Sequence, residues 1–253
     1  MKSTFRKPRH AGRRGVADTP DRLTLYGIHT VAMAIGNPKR TATRLRATEN
    51  ALARLSEEVD VTGIPVEVLT AQALTRSLPA DAVHQGAALD VEPLVPRDLD
   101  DLESARLLVA LDQVTDPHNV GAIMRTAVAF GADAFMTLWR HSPKESAVLA
   151  KSASGAVDCL DHIQVRNLSK ALVSLQEQGF QAIGLDSAGN VSLGDLTIGE
   201  RVVLVLGAEG KGLRQGVRET CDVVARLDLP GRITSLNVSN AAAIALYAVS
   251  RSG

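Results

Sequence analysis

The residues able to do chemistry in this chain fall in three short segments, each beginning where an apolar run ends. The first is LDQVTDPHNVGAIMRTAVAFGA, residues 111–132. Its apolar run closes at Asp112, and a turn centred on Pro117 follows. Asn119 stands where a helix N-cap belongs and Gly131 at the C′ position, which predicts a helix over Val120–Phe130. Ile123, Met124, Ala127 and Val128 would form its buried stripe, with Arg125 beside them. The second segment is VVLVLGAEGKGL, residues 202–213. Gly207, Gly210 and Gly212 allow a ligand close to the backbone, and Glu209 between them can accept hydrogen bonds or orient a cation. The third is LDLPGRITSLNVSNAAAIALYAV, residues 227–249, whose strand is expected to end near Leu229. Ser235, Asn237, Ser239 and Asn240 then precede an Ala-rich helix, as at a ligand site on a helix N-terminus.

Each segment alone also has a plainer explanation. Asn119 can be a simple cap, Arg125 can pair with a surface acid, the glycines can form a structural turn, and the last polar run can cap a core helix. Some chemistries are excluded by spacing. No Gly-Lys-Ser/Thr follows the glycines as a Walker loop requires, and no GxGxxG follows the first strand as a dinucleotide-binding oxidoreductase requires. The six histidines (10, 29, 84, 118, 141, 162) do not cluster as metal ligands, so no metal is expected. Cys159 and Cys221 lie 62 residues apart and form no zinc or redox motif. That fits a reducing, cytoplasmic compartment. No apolar run reaches the length of a membrane span, and the basic N-terminus lacks the apolar stretch of a secretory signal, so no membrane role is expected.

The elements that must position these groups can be read around them. A chain of 253 residues is long enough for one large α/β domain or two small ones. Apolar residues make up 45% and aromatics only 3%, so the core must be built from Ala, Val, Leu and Ile. Residues 1–22 are rich in Arg, Lys, Gly and Pro and are expected to be a disordered basic arm. Residues 23–91 alternate short strands (Leu23–Tyr26, Thr43–Ala47, Val66–Leu69 and one after Gly86) with helices from Gly27 and near Asn50–Glu57, a small α/β domain. Residues 92–104, with two prolines and five acids, read as a linker. From 105 to 253 the runs Leu107–Leu111, Ala134–Leu138, Gln181–Leu185, Val202–Leu206 and Val223–Leu227 alternate with helices such as Leu168–Gln178. That pattern implies a mainly parallel sheet with helices on both faces. Net charge is zero, but residues 1–46 hold eleven Lys/Arg against two Asp, and the other 207 hold 17 basic against 26 acidic residues. A basic arm meeting a polyanion explains the asymmetry, and a solvated tail is the plain alternative.

Taken together, the three segments resemble the three motifs of the SpoU (TrmH-like) RNA methyltransferases: NxxxxxR as Asn119…Arg125, LGxEGxG as Leu206–Gly212, and SLNVS as Ser235–Ser239. YGIHTV (26–31) and DAVHQG (81–86) resemble the two ends of the small ribosomal-protein-like RNA-binding domain of one branch, which includes the 23S rRNA guanosine 2′-O-methyltransferases. The resemblance covers about 23–250. It departs at 227–230, where Leu-Asp-Leu-Pro replaces an Ile-Pro-Met type turn. The resemblance implies a parallel α/β sheet whose C-terminal stretch is threaded as a trefoil knot, a topology that ordinary chains avoid. It also implies S-adenosylmethionine as cofactor, contacted by Gly207, Leu227 and Leu236, a homodimer with the active site near the subunit interface, and RNA as partner. The reaction would be methyl transfer to a ribose 2′-oxygen of rRNA, with tRNA or a non-catalytic RNA-binding role as alternatives. Arg125 would activate the hydroxyl, Glu209 would position it, and Asn119, Ser235 and Asn237 would hold ribose, phosphate and catalytic side chains in place.

Overall fold

Short β-branched and leucine-rich runs build two sheets in the computed structural model, which describes residues 22–99, 102 and 104–251. Apart from Arg22, the basic arm lies outside these residues. The first sheet holds β1 (Leu23–Tyr26), β2 (Ala42–Ala47), β3 (Val66–Val68) and β4 (Ala87–Val91) in the order β1-β4-β2-β3. β4 runs antiparallel to both neighbours, and β3 runs parallel to β2. Helices α1 (Ile28–Gly36) and α2 (Glu49–Glu58) bury one face around Leu25, Leu45, Leu55 and Leu89. The short α3 (Ala71–Arg76) packs Leu74 against Tyr26 and Ala88 on the other. Thr48 and Thr70 start α2 and α3 by accepting the N–H groups of Ala51 and Ala73.

The second sheet has seven strands: β5 (Leu107–Asp112), β6 (Ala134–Leu138), β7 (Asp161–Val165), β8 (Gln181–Leu185), β9 (Val191–Ser192), β10 (Val202–Gly207) and β11 (Val223–Arg226). They lie in the order β7-β6-β5-β10-β8-β11-β9, and every pair is parallel. All six residues of β5 and of β10 are buried, as expected for central strands covered on both faces. One face packs against α4 (Pro117–Ala129), α5 (Ala147–Ala153) and α8 (Val238–Ser250). The other packs against α6 (Leu168–Glu177) and α7 (Gln215–Thr220). The chain moves outward from β5 through β6 to β7, then returns to build β8 on the far side of β10. The strand order therefore reverses at β5/β10, and ligands of open parallel sheets bind at the strand C-termini beside such a point.

Three local expectations are corrected. Helix α4 begins at Pro117, capped by Asp116, whose carboxylate accepts the His118 N–H at 2.9 Å. An acidic cap followed by proline at the first helical position is a stronger start signal than Asn119, so Asn119 lies in the first turn of α4. Strand β11 ends at Arg226, short of Leu229, because its outer neighbour β9 is two residues long and pairs only with Ala225 and Arg226. The 92–104 stretch also does more than link, since Arg97 bridges to Ile163 and donates its N–H to the His162 carbonyl at 2.8 Å along the β7 edge.

The two sheets meet around Arg40. Its Nε donates to Asp158 Oδ1 at 2.8 Å, its Nη2 lies 2.7 Å from Glu145 Oε1, and its Nη1 donates to the Glu92 carbonyl. The Arg40 side chain is fully buried. Burial disfavours the cation, but hydrogen bonds and charge from Asp158 and Glu145 outweigh it and hold the guanidinium pKa above its ordinary value. Asn37 adds a donor to the same Asp158 oxygen at 3.0 Å. Among the described residues no helix is long and apolar enough to cross a membrane.

Candidate active site

The first turn of α8 joins the three segments. Asn237 is the N-cap, and its Oδ1 accepts the Ser239 N–H at 2.9 Å and the Ser239 hydroxyl at 2.6 Å. With the oxygen engaged, the amide nitrogen is left to donate, and it reaches Asn119 Oδ1 at 3.1 Å and Glu209 Oε2 at 3.5 Å. A group after β5, one after β10 and one after β11 thus share a single amide. No pairwise pattern in the sequence shows this, because Asn119 and Asn237 lie 118 residues apart.

The loop after β10 is folded tightly back on the strand. Gly212 donates its N–H to the Ala208 carbonyl at 2.9 Å. A side chain at Gly207 would lie 2.2 Å from the Gly212 carbonyl carbon, so only glycine fits. Gly212 adopts φ +64, and Asp186 Oδ2 holds the next N–H, that of Leu213, at 3.2 Å. Beneath this loop the buried carboxylate of Asp112 accepts the backbone N–H of Arg214 at 2.8 Å and its Nε at 2.7 Å, tying the end of β5 to the start of α7.

Two cavities open on this edge. The larger, about 560 Å³, is bounded by Asp186, Gly207–Gly212, Leu227, Leu229 and Thr234–Val238. The smaller, about 340 Å³, is bounded by Gln113–Asp116, Asn119, His141, Glu209 and Lys211. Both volumes suit a small-molecule or nucleotide-sized ligand. Gln113 and His141 adopt φ +61 and +67, backbone conformations that non-glycine residues adopt at a cost and that gather at functional sites. Between Leu229 and Leu236 no backbone N–H or C=O pairs with another backbone group among the described residues. One wall of the larger cavity therefore offers free main-chain donors and acceptors beside apolar Leu227 and Leu236.

Of the eight residues singled out in the sequence, Gly207, Leu227, Leu236, Ser235, Asn237 and Glu209 border the larger cavity, and Asn119 borders the smaller one next to Glu209. Arg125 borders neither. Six residues on from Asn119, it is displaced by about 9 Å along α4 and about 120° around it. It is exposed, and among the described residues no hydrogen bond or ion pair holds it. Asp186, Asp112 with Arg214, Lys211 and His141 were not singled out in the sequence. Asp186 and Asp112 both directly end apolar strands, so the strand-end rule that pointed to Asn119 and Glu209 was the available signal. Among the described residues there is no group of three or more His, Cys, Asp or Glu side chains that could hold a metal.

Residues 106–247 match the SpoU rRNA Methylase family. The chain belongs to this family. Among its relatives, the 23S rRNA (guanosine-2'-O-)-methyltransferase RlmB of Xylella fastidiosa is 37% identical over 234 residues, which covers 88% of this chain and 94% of that protein. An uncharacterized tRNA/rRNA methyltransferase of Mycobacterium ulcerans is 37% identical over 207 residues, 78% of this chain but only 66% of that protein's length. The fold matches the SpoU methyltransferase AviRb of Streptomyces viridochromogenes, solved in complex with AdoMet, with a TM-score of 0.77 and 20% identity over 91% of this chain and 90% of that one. Membership in the SpoU family accounts for the parallel sheet, and the matched span contains Asn119, Glu209 and Asn237, the three groups that meet at one amide.

Proposed function

We propose that this chain is a cytoplasmic RNA ribose 2′-O-methyltransferase that uses S-adenosylmethionine and acts on a guanosine of 23S rRNA. The observation that carries the reading is the Asn237 amide, which joins Asn119 and Glu209 at the mouth of a cavity walled by free backbone groups. The residues present fit the cofactor. Gly207 lets the 207–212 loop fold tightly onto the end of β10 and wall the cavity, the unpaired main chain at 229–236 can read a purine edge, and Leu227 and Leu236 offer apolar surface. When bound, S-adenosylmethionine supplies an electrophilic methyl group, and the protein's own task is orientation and charge handling. A knotted C-terminal stretch, as the resemblance to this family implies, is part of the same reading.

The attacking ribose oxygen develops negative charge as it loses its proton. Arg125 is suited to stabilise that charge or grip the adjacent phosphate. It is unsuited to remove the proton, since a guanidinium offers only N–H donors and no acceptor. Its separation from the Asn119–Asn237–Glu209 cluster supports a homodimer in which each site is completed by the other copy's arginine. Ile244 and Tyr247, exposed on α8 at 45% and 53%, supply apolar surface for that contact. Ser235 and Asn119 would hold the ribose and phosphate. In this reading residues 23–91 form the RNA-binding domain and 105–253 the methyltransferase domain, with no metal and no membrane in the mechanism. DNA would not serve as substrate because it lacks the 2′-hydroxyl.

Two experiments test the proposal. Arg125→Ala should abolish methyl transfer and leave S-adenosylmethionine binding intact, and near-normal turnover would remove Arg125 from the mechanism. Ribose-methylation mapping on rRNA and tRNA from cells lacking the protein should show one 23S guanosine unmodified, restored with the gene. A change in tRNA alone would move the substrate, and no change in either would overturn the function.

A further inference from the structure

The sheet edge that carries the cavities continues beyond them to a feature the methyl-transfer reading does not use. Trp139 is the chain's single tryptophan. It stands immediately after β6, with its backbone N–H bonded to the Val165 carbonyl at 2.9 Å. The residue is 39% exposed, and the Arg166 guanidinium, just past β7, lies 4.9 Å from the ring centroid. The ring is thus fixed from two adjacent strand ends and backed by a cation, yet a large part of it faces solvent.

The position of this pair relates it to the site. Because the strands are parallel, the ends of β7, β6, β5 and β10 form one row carrying Arg166, Trp139, Asp112 and Gly207. At the usual strand spacing Trp139 lies about 5 Å to the side of the β5 end and Arg166 about 10 Å. The loop leaving Trp139 bears Arg140, His141 and Lys144, and His141 shares the smaller cavity with Asn119 and Glu209. His141, two residues from Trp139 in sequence, therefore links the Asn119–Asn237–Glu209 side of the row to the indole side. Cationic side chains beside an open aromatic face are how single-stranded nucleic acid is gripped without base-specific hydrogen bonds.

We propose that Trp139, backed by Arg166, is a stacking platform for the base of an unpaired nucleotide flanking the ribose that receives the methyl group. The proposal rests on the methyltransferase reading, deepens it by naming a substrate-positioning residue, and requires the RNA to be unstacked next to its target.

Kinetics and fluorescence test it separately. With undermethylated rRNA as acceptor, Trp139→Ala should raise KM for RNA on the order of tenfold and leave kcat and S-adenosylmethionine affinity unchanged. Trp139→Phe, which keeps an aromatic face, should restore most of the loss. An unchanged KM in Trp139→Ala, or equal losses in both variants, overturns the platform. In the wild-type protein the single tryptophan reports directly on its own site. A single-stranded RNA of about ten nucleotides should quench its emission saturably, and inorganic polyphosphate of matched charge should not. Equal quenching by both, or by neither, overturns the proposal. Emission that falls with protein concentration alone would assign the ring to contact with a second copy. If the wild-type protein methylates no rRNA, the proposed function fails, and the quenching titration still decides whether the indole stacks on bases.

Discussion

Two polar clusters tie distant segments of this chain together, one buried and one at the surface. Around Arg40, a side chain with no exposed surface pairs with Asp158 and Glu145, which are 1% and 12% exposed. Around Asn237, a half-buried amide spans Asn119 and an exposed glutamate at 3.1 and 3.5 Å. The first is charged, desolvated and fixed, and it locks the small sheet to the large one. The second is formed by longer hydrogen bonds among groups that keep access to solvent, beside two cavities. Burial is what separates them. A desolvated charge is costly to leave unpaired, so the Arg40 cluster is committed to stability, whereas a solvated amide can exchange partners at little cost and can serve a ligand.

Removing one partner from each cluster should expose that difference. Arg40→Ala leaves two enclosed carboxylates without their cation and should cost about 3–5 kcal/mol of folding stability, read as a lower midpoint in urea unfolding. If the unfolding free energy fell by less than about 1 kcal/mol, the Arg40 pairing would be no more structural than a surface ion pair, and the contrast would collapse.

A titration sharpens the same side of the comparison. His162, on β7 beneath the interface, places its Nε2 2.8 Å from Thr137 Oγ1, and burial pushes its pKa down to about 4. Its folded pKa lies below the unfolded value of 6.5, so the unfolded chain binds the extra proton first. The stabilisation is fully present above pH 6.5 and drains away as pH falls toward 4, by up to about 3 kcal/mol. The carboxylates with lowered pKa, Asp90 and Asp161 and the exposed Asp60 and Asp228, contribute losses only at lower pH, around and below the ordinary value of 3.8. Unfolding free energy should therefore decline between pH 7 and 5 in the wild type and stay nearly level in His162→Asn. Parallel slopes for the two proteins would show that the imidazole is not responsible.

The same contrast explains what could be read from the sequence. β5 and β10 are unbroken apolar runs, and the polar groups that end them stood out against that background. β7 has Ile163 as its only fully buried residue, with the other four partly covered, so it carried too little pattern to be named. Arg40 enters the count of basic residues over 1–46 whose excess suggests a basic arm meeting a polyanion. Instead Lys39, Arg40, Arg44 and Arg46 are paired internally with Asp161, Asp158, Glu145 and Asp90. Charge counting cannot distinguish a solvated cation from one that anchors an interface, because the partners lie 44 to 122 residues away. For Arg125 the residue type was legible but not its placement. Six helical positions from Asn119 put it on another face of α4, and the coordinates add that it borders neither cavity.

The smallest stability effect and the sharpest functional one should come together at Asn237. Its Oδ1 caps α8, and its Nδ2 joins Asn119 to Glu209. Asn237→Asp keeps an oxygen for the cap, and aspartate is as good an N-cap as asparagine, so unfolding free energy should change by less than about 1 kcal/mol. The substitution also replaces the donor with a second carboxylate facing Glu209. The cluster should open and methyl transfer should fall by a factor on the order of 100, the usual cost of one lost catalytic hydrogen-bond donor. Asn237→Ala should instead lose both, with about 1 kcal/mol of capping energy added to the same catalytic defect. If Asn237→Asp were fully active, the amide would be only a cap, and both clusters would then be structural. If both variants were strongly destabilised, the surface cluster would share the commitment of the buried one, and access to solvent would not be what divides function from stability in this fold.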